Sequence, residues 1–299
     1  MKQIVVAALL ALSMSATANN SVVYTAQKII TMEPALPEAT AVMVEGDRIV
    51  AVGSLESLAG LIEQRDARVD HSLADKILMP GFIDTHVHPA LPAVLTQFPF
   101  LAPDSWSLPT GKFPGATTPE DYETALKAQV AEHSDNAVPF ISWGYHPLWH
   151  GEVYREQLNA WFPDTPVMLW HRSFHELIGN DAAFEQLGVT EADAMAAHEA
   201  DWAKGHFWEN GLKALVPKLG FLFQPDRFAG GMANFLEMLH RGGVTTALDM
   251  GTGIFGNPAQ EVGLIRSVAE QSDAPTRMIL TPIITDFLAR GRTPEQAHA

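Results

Sequence analysis

The sequence predicts an α/β protein: a small β-unit followed by a larger domain of parallel strands joined by helices. Three observations carry this. The 299 residues include 47% apolar side chains, enough for one large core or two smaller ones. Residues 21–76 run in short, alternating β-type stretches. From Pro80 onward, apolar strand candidates alternate with helix candidates, the texture of parallel strands with helical crossovers.

At the start of the chain, Lys2, the apolar run IVVAALLALSM and the small-residue triplet Ala16-Thr17-Ala18 form a secretory signal pattern. Residues 1–18 are expected to be removed, leaving a mature chain that begins near Asn19 and is exported, periplasmic or secreted. A membrane anchor fits less well, because a spanning helix needs about 20 apolar residues. This run is shorter and is flanked by Ser, Thr and Asn.

Residues 19–79 then hold the stretches SVVYTAQKIITM, ATAVMVEGDRIVAVG and ARVDHSLADKILM. Gly46-Asp47, set between Val-rich arms, is a two-residue hairpin signal, so a small antiparallel β-unit is expected.

The strand candidates of residues 80–299 are GFIDTHVH, VPFISWGYH, PVMLWHRSF, VTTALDM and TRMILTPII. Each is apolar and then ends in polar or aromatic residues. Thr118 and Pro119 open the helix PEDYETALKAQVAEH as N-cap and first-turn proline, and Gly242-Gly243 closes MANFLEMLHR. The stretch EADAMAAHEADWAKGHFWENGLKALVPKLGFLF is too long for a simple connection and is expected to carry a helical insertion. Thr293, Pro294 and Gln296 open a further helix that Ala299 cuts off after about one turn, too short to hold itself, so sequence belonging after residue 299 is expected.

Composition narrows the partners. Nineteen basic against thirty-five acidic residues give a net charge of −16, which repels nucleic-acid phosphates and anionic lipid. No nucleic-acid partner is expected, and no membrane partner once the signal is removed. The chain has no cysteine, so packing alone or a metal must hold it together even in an oxidising compartment.

The chemistry centres on PGFIDTHVHP, where His86 and His88 stand one residue apart at the end of an apolar run. Alternate side chains of a strand share a face, so both imidazoles project together while Val87 points the other way. Two neutral imidazoles so placed suit a divalent ion, most often zinc, which polarises a carbonyl and brings bound water to a pKa of about 7. Asp84 shares that face by parity and is a candidate to orient a ligand ring. A bare His-x-His pair also occurs as ordinary half-buried histidines, and it opens other hydrolases, among them phosphoesterases. No basic or glycine-rich phosphate cradle accompanies it here.

The segment ILMPGFIDTHVHP, following a β-unit, resembles the entry to the barrel in the amidohydrolase superfamily. More narrowly, the chain is similar to amidohydrolase family 3, the relatives of N-substituted formamide deformylase. ATAVMVEGDRIVAVG, WGYHPLWHG, HRSFHELIGNDAAFEQLGV and GVTTALDMG carry the likeness from about Val22 to the end. The resemblance implies a partial TIM-type (β/α) barrel preceded by a small β-sandwich unit. It implies hydrolysis of a non-peptide amide or formamide carbon–nitrogen bond through metal-activated water.

By the same resemblance His86 and His88 are metal ligands, and His175 and Asn180 lie near the substrate, a small-molecule amide. His171 and Arg172 end the third strand candidate, where a polar cluster would meet a substrate carbonyl or carboxylate; each also reads as a solvated rim residue. Asn180 reads equally as the N-cap of DAAFEQL. Tyr145, Trp149 and Trp170 read either as a pocket lining or as packing. Asp249 and Glu209 are the candidate catalytic carboxylates and each is also a candidate ligand, while Glu209 also reads as a solvated loop carboxylate. The fourth strand lacks the lysine that bridges two metals in many superfamily members, and His146 stands where relatives often place an acid. Two further histidine ligands and a catalytic aspartate would fall beyond Ala299. The barrel is therefore expected to be incomplete, and the alternative reading is a truncated, non-catalytic remnant or one half of a split amidohydrolase. A complementing C-terminal chain or a homo-oligomer would then be its partner.

Overall fold

The computed structural model describes residues 21–255 and 257–283. The expected signal segment and the helix opening at Thr293 lie outside the described residues. Two compact units meet in the chain between Gly81 and Phe82. Among the described residues no helix is long and apolar enough to cross a membrane.

The first unit is one five-stranded sheet: β1 (Ser21–Ile30), β2 (Glu38–Glu45), β3 (Arg48–Gly53), β4 (Arg68–Asp70) and β5 (Ile77–Leu78). β1, β2 and β3 run antiparallel, and β4 and β5 both pair parallel to β1. The Gly46-Asp47 turn joins Glu45 to its partner Arg48, with Gly46 at φ 60°, as a two-residue hairpin requires. Where a β-sandwich is expected, helix α1 (Leu55–Arg65) packs on the sheet instead, burying Leu58 with Val23, Ala41 and Met43. A reciprocal Ser54–Ser57 capping box starts this helix.

In the second unit all five strand candidates are strands. β6 (Phe82–Val87) is followed by α2 (Ala90–Leu95), the short hairpin β7 (Trp106–Leu108) and β8 (Gly111–Phe113), and α3 (Pro119–Glu132). Next come β9 (Phe140–Tyr145), α4 (Pro147–His150), α5 (Arg155–Trp161), β10 (Val167–His171), β11 (Glu176–Gly179) and α6 (Asp181–Leu187). The insertion holds α7 (Glu191–Ala197), β12 (Ala200–Asp201), β13 (His206–Trp208), α8 (Asn210–Leu215) and a 3-10 segment over Val216–Phe223. The unit continues with α9 (Pro225–Arg241), β14 (Val244–Thr252), α10 (Pro258–Ala269) and β15 (Arg277–Pro282).

These strands form a mixed α/β fold, and no closed barrel is present among the described residues. One sheet has the order β15-β14-β6, all parallel. The other has the order β12-β13-β11-β10-β9, parallel between β9 and β10 and antiparallel beyond. The free edge of β9 is taken by Pro99–Leu101 rather than by β6. Phe100 bridges Trp143, and Leu101 N donates to Trp143 O at 2.8 Å. The insertion, expected to be helical, also contributes the β12–β13 hairpin, which extends the second sheet.

The core follows from the apolar runs. β9 and β10 are buried along their whole length, as strands covered on both faces must be. α9 buries Phe228, Met232, Phe235, Leu236 and Leu239 along one stripe, in a cluster with Ala93 of α2 and Ala247 of β14. This packing fixes β14 beside β6, and so fixes what stands next to the histidine pair.

Candidate active site

His86 and His88 converge as the pleat requires. Their Nε2 atoms are 3.3 Å apart, and the rings stand at 90° with centroids 5.0 Å apart. Two nitrogens bound to one tetrahedral zinc at about 2.0–2.1 Å each lie about 3.3 Å apart, so the pair fits as two ligands of one ion. Among the described residues no group of three or more His, Cys, Asp and Glu side chains converges as a ready-made metal centre. The pair thus supplies two donors of a site whose other positions it does not fill.

β14 places Asp249 opposite Val87 in register, which brings its carboxylate behind His88. Asp249 Oδ1 is 3.6 Å from His88 Nδ1, and that nitrogen is buried without a hydrogen bond. Asp249 is 1% exposed and accepts from Gly251 N at 2.9 Å and from Thr252 Oγ1. It faces the Nδ1 side of the ring, away from the Nε2 that meets His86, and so stands as an orienting group rather than a co-ligand at Nε2. A second carboxyl, Glu261 of α10, lies buried near it and is pushed up to about 7, by burial first and by the charge of Asp249 as well. Nothing in the sequence marks Glu261, which reads as an ordinary first-turn acid.

Asp84 does not orient either ring. Its Oδ1 accepts from the backbone N of His86 at 3.1 Å, which stiffens the strand end instead. Gly251 plays the closer part: a Cβ there would come within 2.9 Å of His88 Nδ1 and 3.0 Å of its Cε1. Gly251→Ala is therefore expected to push the His88 ring off its seat and weaken metal retention by about 10–100-fold, the range seen when outer partners of a ligand histidine are lost. Competition with a chromophoric chelator measures this. Unchanged retention would show that the ring position does not matter.

A cavity of about 690 Å³ opens beside His88. Its polar wall includes Ser173, His175 and Glu209, and its apolar wall includes Trp170, Phe174 and Phe255. His175 Nδ1 lies 3.1 Å from Glu209 Oε1 and 3.2 Å from Oε2, and Glu209 N donates to His175 O at 3.0 Å. Glu209 holds φ 45° and ψ −110°, a backbone that a non-glycine residue adopts only when its surroundings impose it. The sequence-derived residues His88, Trp170, His175 and Glu209 are thus brought to one cavity.

The remaining candidates stand elsewhere. Asn180 is a correction: it is fully buried and uses every polar atom structurally. Its Oδ1 accepts from Val167 N and Ala183 N, both at 3.0 Å, and its Nδ2 donates to Phe162 O at 2.9 Å and Thr165 O at 2.8 Å. No atom is left for a substrate. Arg172 forms an ion pair with Asp104 and does not line the cavity. His171 is buried, meets Ser173 Oγ at 2.7 Å and lies outside the cavity wall. Burial lowers its pKa, Glu176 opposes that, and the neighbouring imidazoles of His146, His206 and His175 lower it further. His146 caps α4 through Nδ1, which accepts from Leu148 N at 3.1 Å. Tyr145 is packing: its hydroxyl donates to Gly151 O at 2.8 Å and accepts from Val153 N at 2.9 Å. Trp149 lies outside the cavity wall as well.

Known proteins resemble this chain in sequence and in fold. The family model described as Amidohydrolase family matches residues 72–298. The chain is 32% identical over 158 residues to the N-substituted formamide deformylase of Arthrobacter pascens, covering 50% of this chain and 26% of that protein. It is 25% identical over 162 residues to the protein LONG AFTER FAR-RED 3 of Arabidopsis thaliana, covering 54% and 25%. The matched stretch thus spans about a quarter of each curated relative. In fold it is similar to an uncharacterized metal-dependent hydrolase from Pyrococcus horikoshii, with a TM-score of 0.64 at 17% identity, covering 91% of this chain and 51% of that one. A second such structure, from Pyrococcus furiosus, gives a TM-score of 0.62 at 15% identity, covering 88% and 50%.

Proposed function

Because the chain belongs to the amidohydrolase family, we propose that it is a metal-dependent hydrolase of non-peptide amide or formamide carbon–nitrogen bonds. The observation that carries this is the 3.3 Å separation of the His86 and His88 Nε2 atoms beside an open cavity. In this reading the two parallel arrays are arcs of a partial TIM-type (β/α) barrel, with the histidines at a strand C-terminal end, where such barrels carry their chemistry.

A bound divalent ion, zinc by the preference of imidazole donors, supplies water acidic enough to attack near neutral pH and polarises the amide carbonyl. His86 and His88 would hold it through Nε2. Asp249 favours a proton on Nδ1 of His88, which keeps Nε2 free as a donor. Glu209 does the same for His175: with Nδ1–H turned to the carboxylate, Nε2 is left to carry a proton toward the departing nitrogen. Water oxygen would add to the carbonyl carbon before the carbon–nitrogen bond breaks; one of its protons would pass by way of His175 to the departing nitrogen, and the other would be released with the acid product. The net charge of −16 suits a neutral or cationic substrate better than a polyanion.

The test is amine release by zinc-loaded protein from a panel of N-formyl and N-acyl amines, with phosphate monoesters as controls. Release from at least one amide, lost on chelation and restored by zinc, is expected. Protein that holds zinc and releases amine from none of them contradicts the reading, and cleavage of the esters instead points to phosphoester chemistry.

A further inference from the structure

Phe174 joins β10 to β11 in a left-handed conformation, φ 71°, that a bulky residue rarely adopts. Glycine is the residue such a turn calls for, yet an aromatic ring stands there. The surroundings hold it in place: Phe174 N donates to His171 O at 2.9 Å, and Trp170 Nε1 donates to Phe174 O at 3.1 Å. The two rings stack with centroids 4.6 Å apart and planes 20° from parallel. Phe255 stands near edge-on to Phe174, at 6.2 Å and 69°. Trp170 is 1% exposed, so the indole serves as backing, while Phe174 and Phe255 are only partly buried. All three line the cavity that reaches His88.

We propose that Phe174, backed by Trp170 and flanked by Phe255, is a specificity-determining residue that receives a flat, uncharged ring of the substrate, so that aryl-bearing amides are preferred over alkyl ones. Three features carry this. Backbone strain kept for a ring at a cavity wall points to a use for that ring. Stacked and edge-on aromatic neighbours favour a further ring over an aliphatic chain of equal size. The cavity, at about 690 Å³, has ample room, since about 150 Å³ already admits benzene. What is cleaved rests on the hydrolase reading; what is bound does not.

The test separates the two by using ketones, which have no carbon–nitrogen bond to break. Acetophenone and 2-hexanone are titrated into the zinc-loaded full chain by ligand-observed NMR. Acetophenone is expected to bind about tenfold more tightly, the scale of one good aromatic contact. Phe174→Gly, which suits the left-handed backbone, is expected to abolish the difference, and Phe174→Tyr to keep it. Should the glycine variant not fold, Phe174→Leu removes the ring and keeps most of the volume. Equal binding of the two ketones to the unaltered protein, or a preference that survives loss of the ring, overturns the proposal. Aryl preference in a protein that cleaves no amide sinks the hydrolase reading alone. Amide cleavage without aryl preference sinks this one alone.

Discussion

Removing the His86 and His88 imidazoles is expected to abolish metal retention, and with it any metal-dependent turnover. The effect should exceed that of disturbing a supporting group, which costs about 10–100-fold in affinity. Each histidine supplies one Nε2 to a site that has only these two converging donors among the described residues, so either His86→Ala or His88→Ala leaves one. The expected order is therefore set by position. Each alanine variant should lose zinc by more than about 100-fold, while Asp249→Asn, which leaves both donors in place, should fall within the supporting range. His86 is exposed, so its removal should leave stability within about 0.5 kcal/mol, and the loss cannot be ascribed to unfolding. Metal analysis after dialysis and denaturant unfolding of the same samples measure both. A double variant that keeps zinc at unchanged affinity would remove the basis of the hydrolase reading.

How much of this was legible in the sequence depends on the length over which each signal acts. The strands β6, β9, β10, β14 and β15 were readable because each is an apolar run bounded by turn or helix signals. Their division between two sheets was not readable, because it depends on Pro99–Leu101 occupying the β9 edge, a contact about forty residues away in sequence. α1 escaped because its capping box has Ser57 at the position where Glu or Gln is the usual signal. β11 escaped because the turn before it is made by Phe174 where glycine would announce it. The histidine pair was legible, since period-two alternation alone puts His86 and His88 on one face. Nothing local tells that Asp249 stands behind His88, because β14 meets β6 only through the register that α9 packing enforces. The cavity likewise gathers Phe174, Glu209 and Phe255 from separate elements, and no spacing rule joins them.

Asn180 shows the same limit from the other side, and it yields the largest expected change in stability. The sequence offers two readings, substrate contact and helix N-cap, because an amide side chain serves both. Burial decides between them: a fully enclosed amide with two accepting and two donating bonds is a junction, joining α6 to the start of β10 and to the turn at Phe162 and Thr165. Asn180→Ala leaves two N–H groups and two carbonyls to find other partners inside the protein. An unmet buried group costs about 1–3 kcal/mol and a lost N-cap about 1 kcal/mol. Partial relaxation makes these less than additive, so a net loss of about 3–5 kcal/mol is expected. Asn180→Asp is the sharper probe. It keeps an oxygen for Val167 N and Ala183 N but turns a second, charged oxygen toward the carbonyls of Phe162 and Thr165, so it should be no more stable than the alanine variant despite its good cap. Thr118→Ala, at the exposed cap of α3, calibrates the cap alone at about 1 kcal/mol. Urea unfolding midpoints at constant m-value measure all three. A substrate-contact role predicts the reverse pattern, with stability within about 0.5 kcal/mol of the unaltered protein and the effect confined to KM.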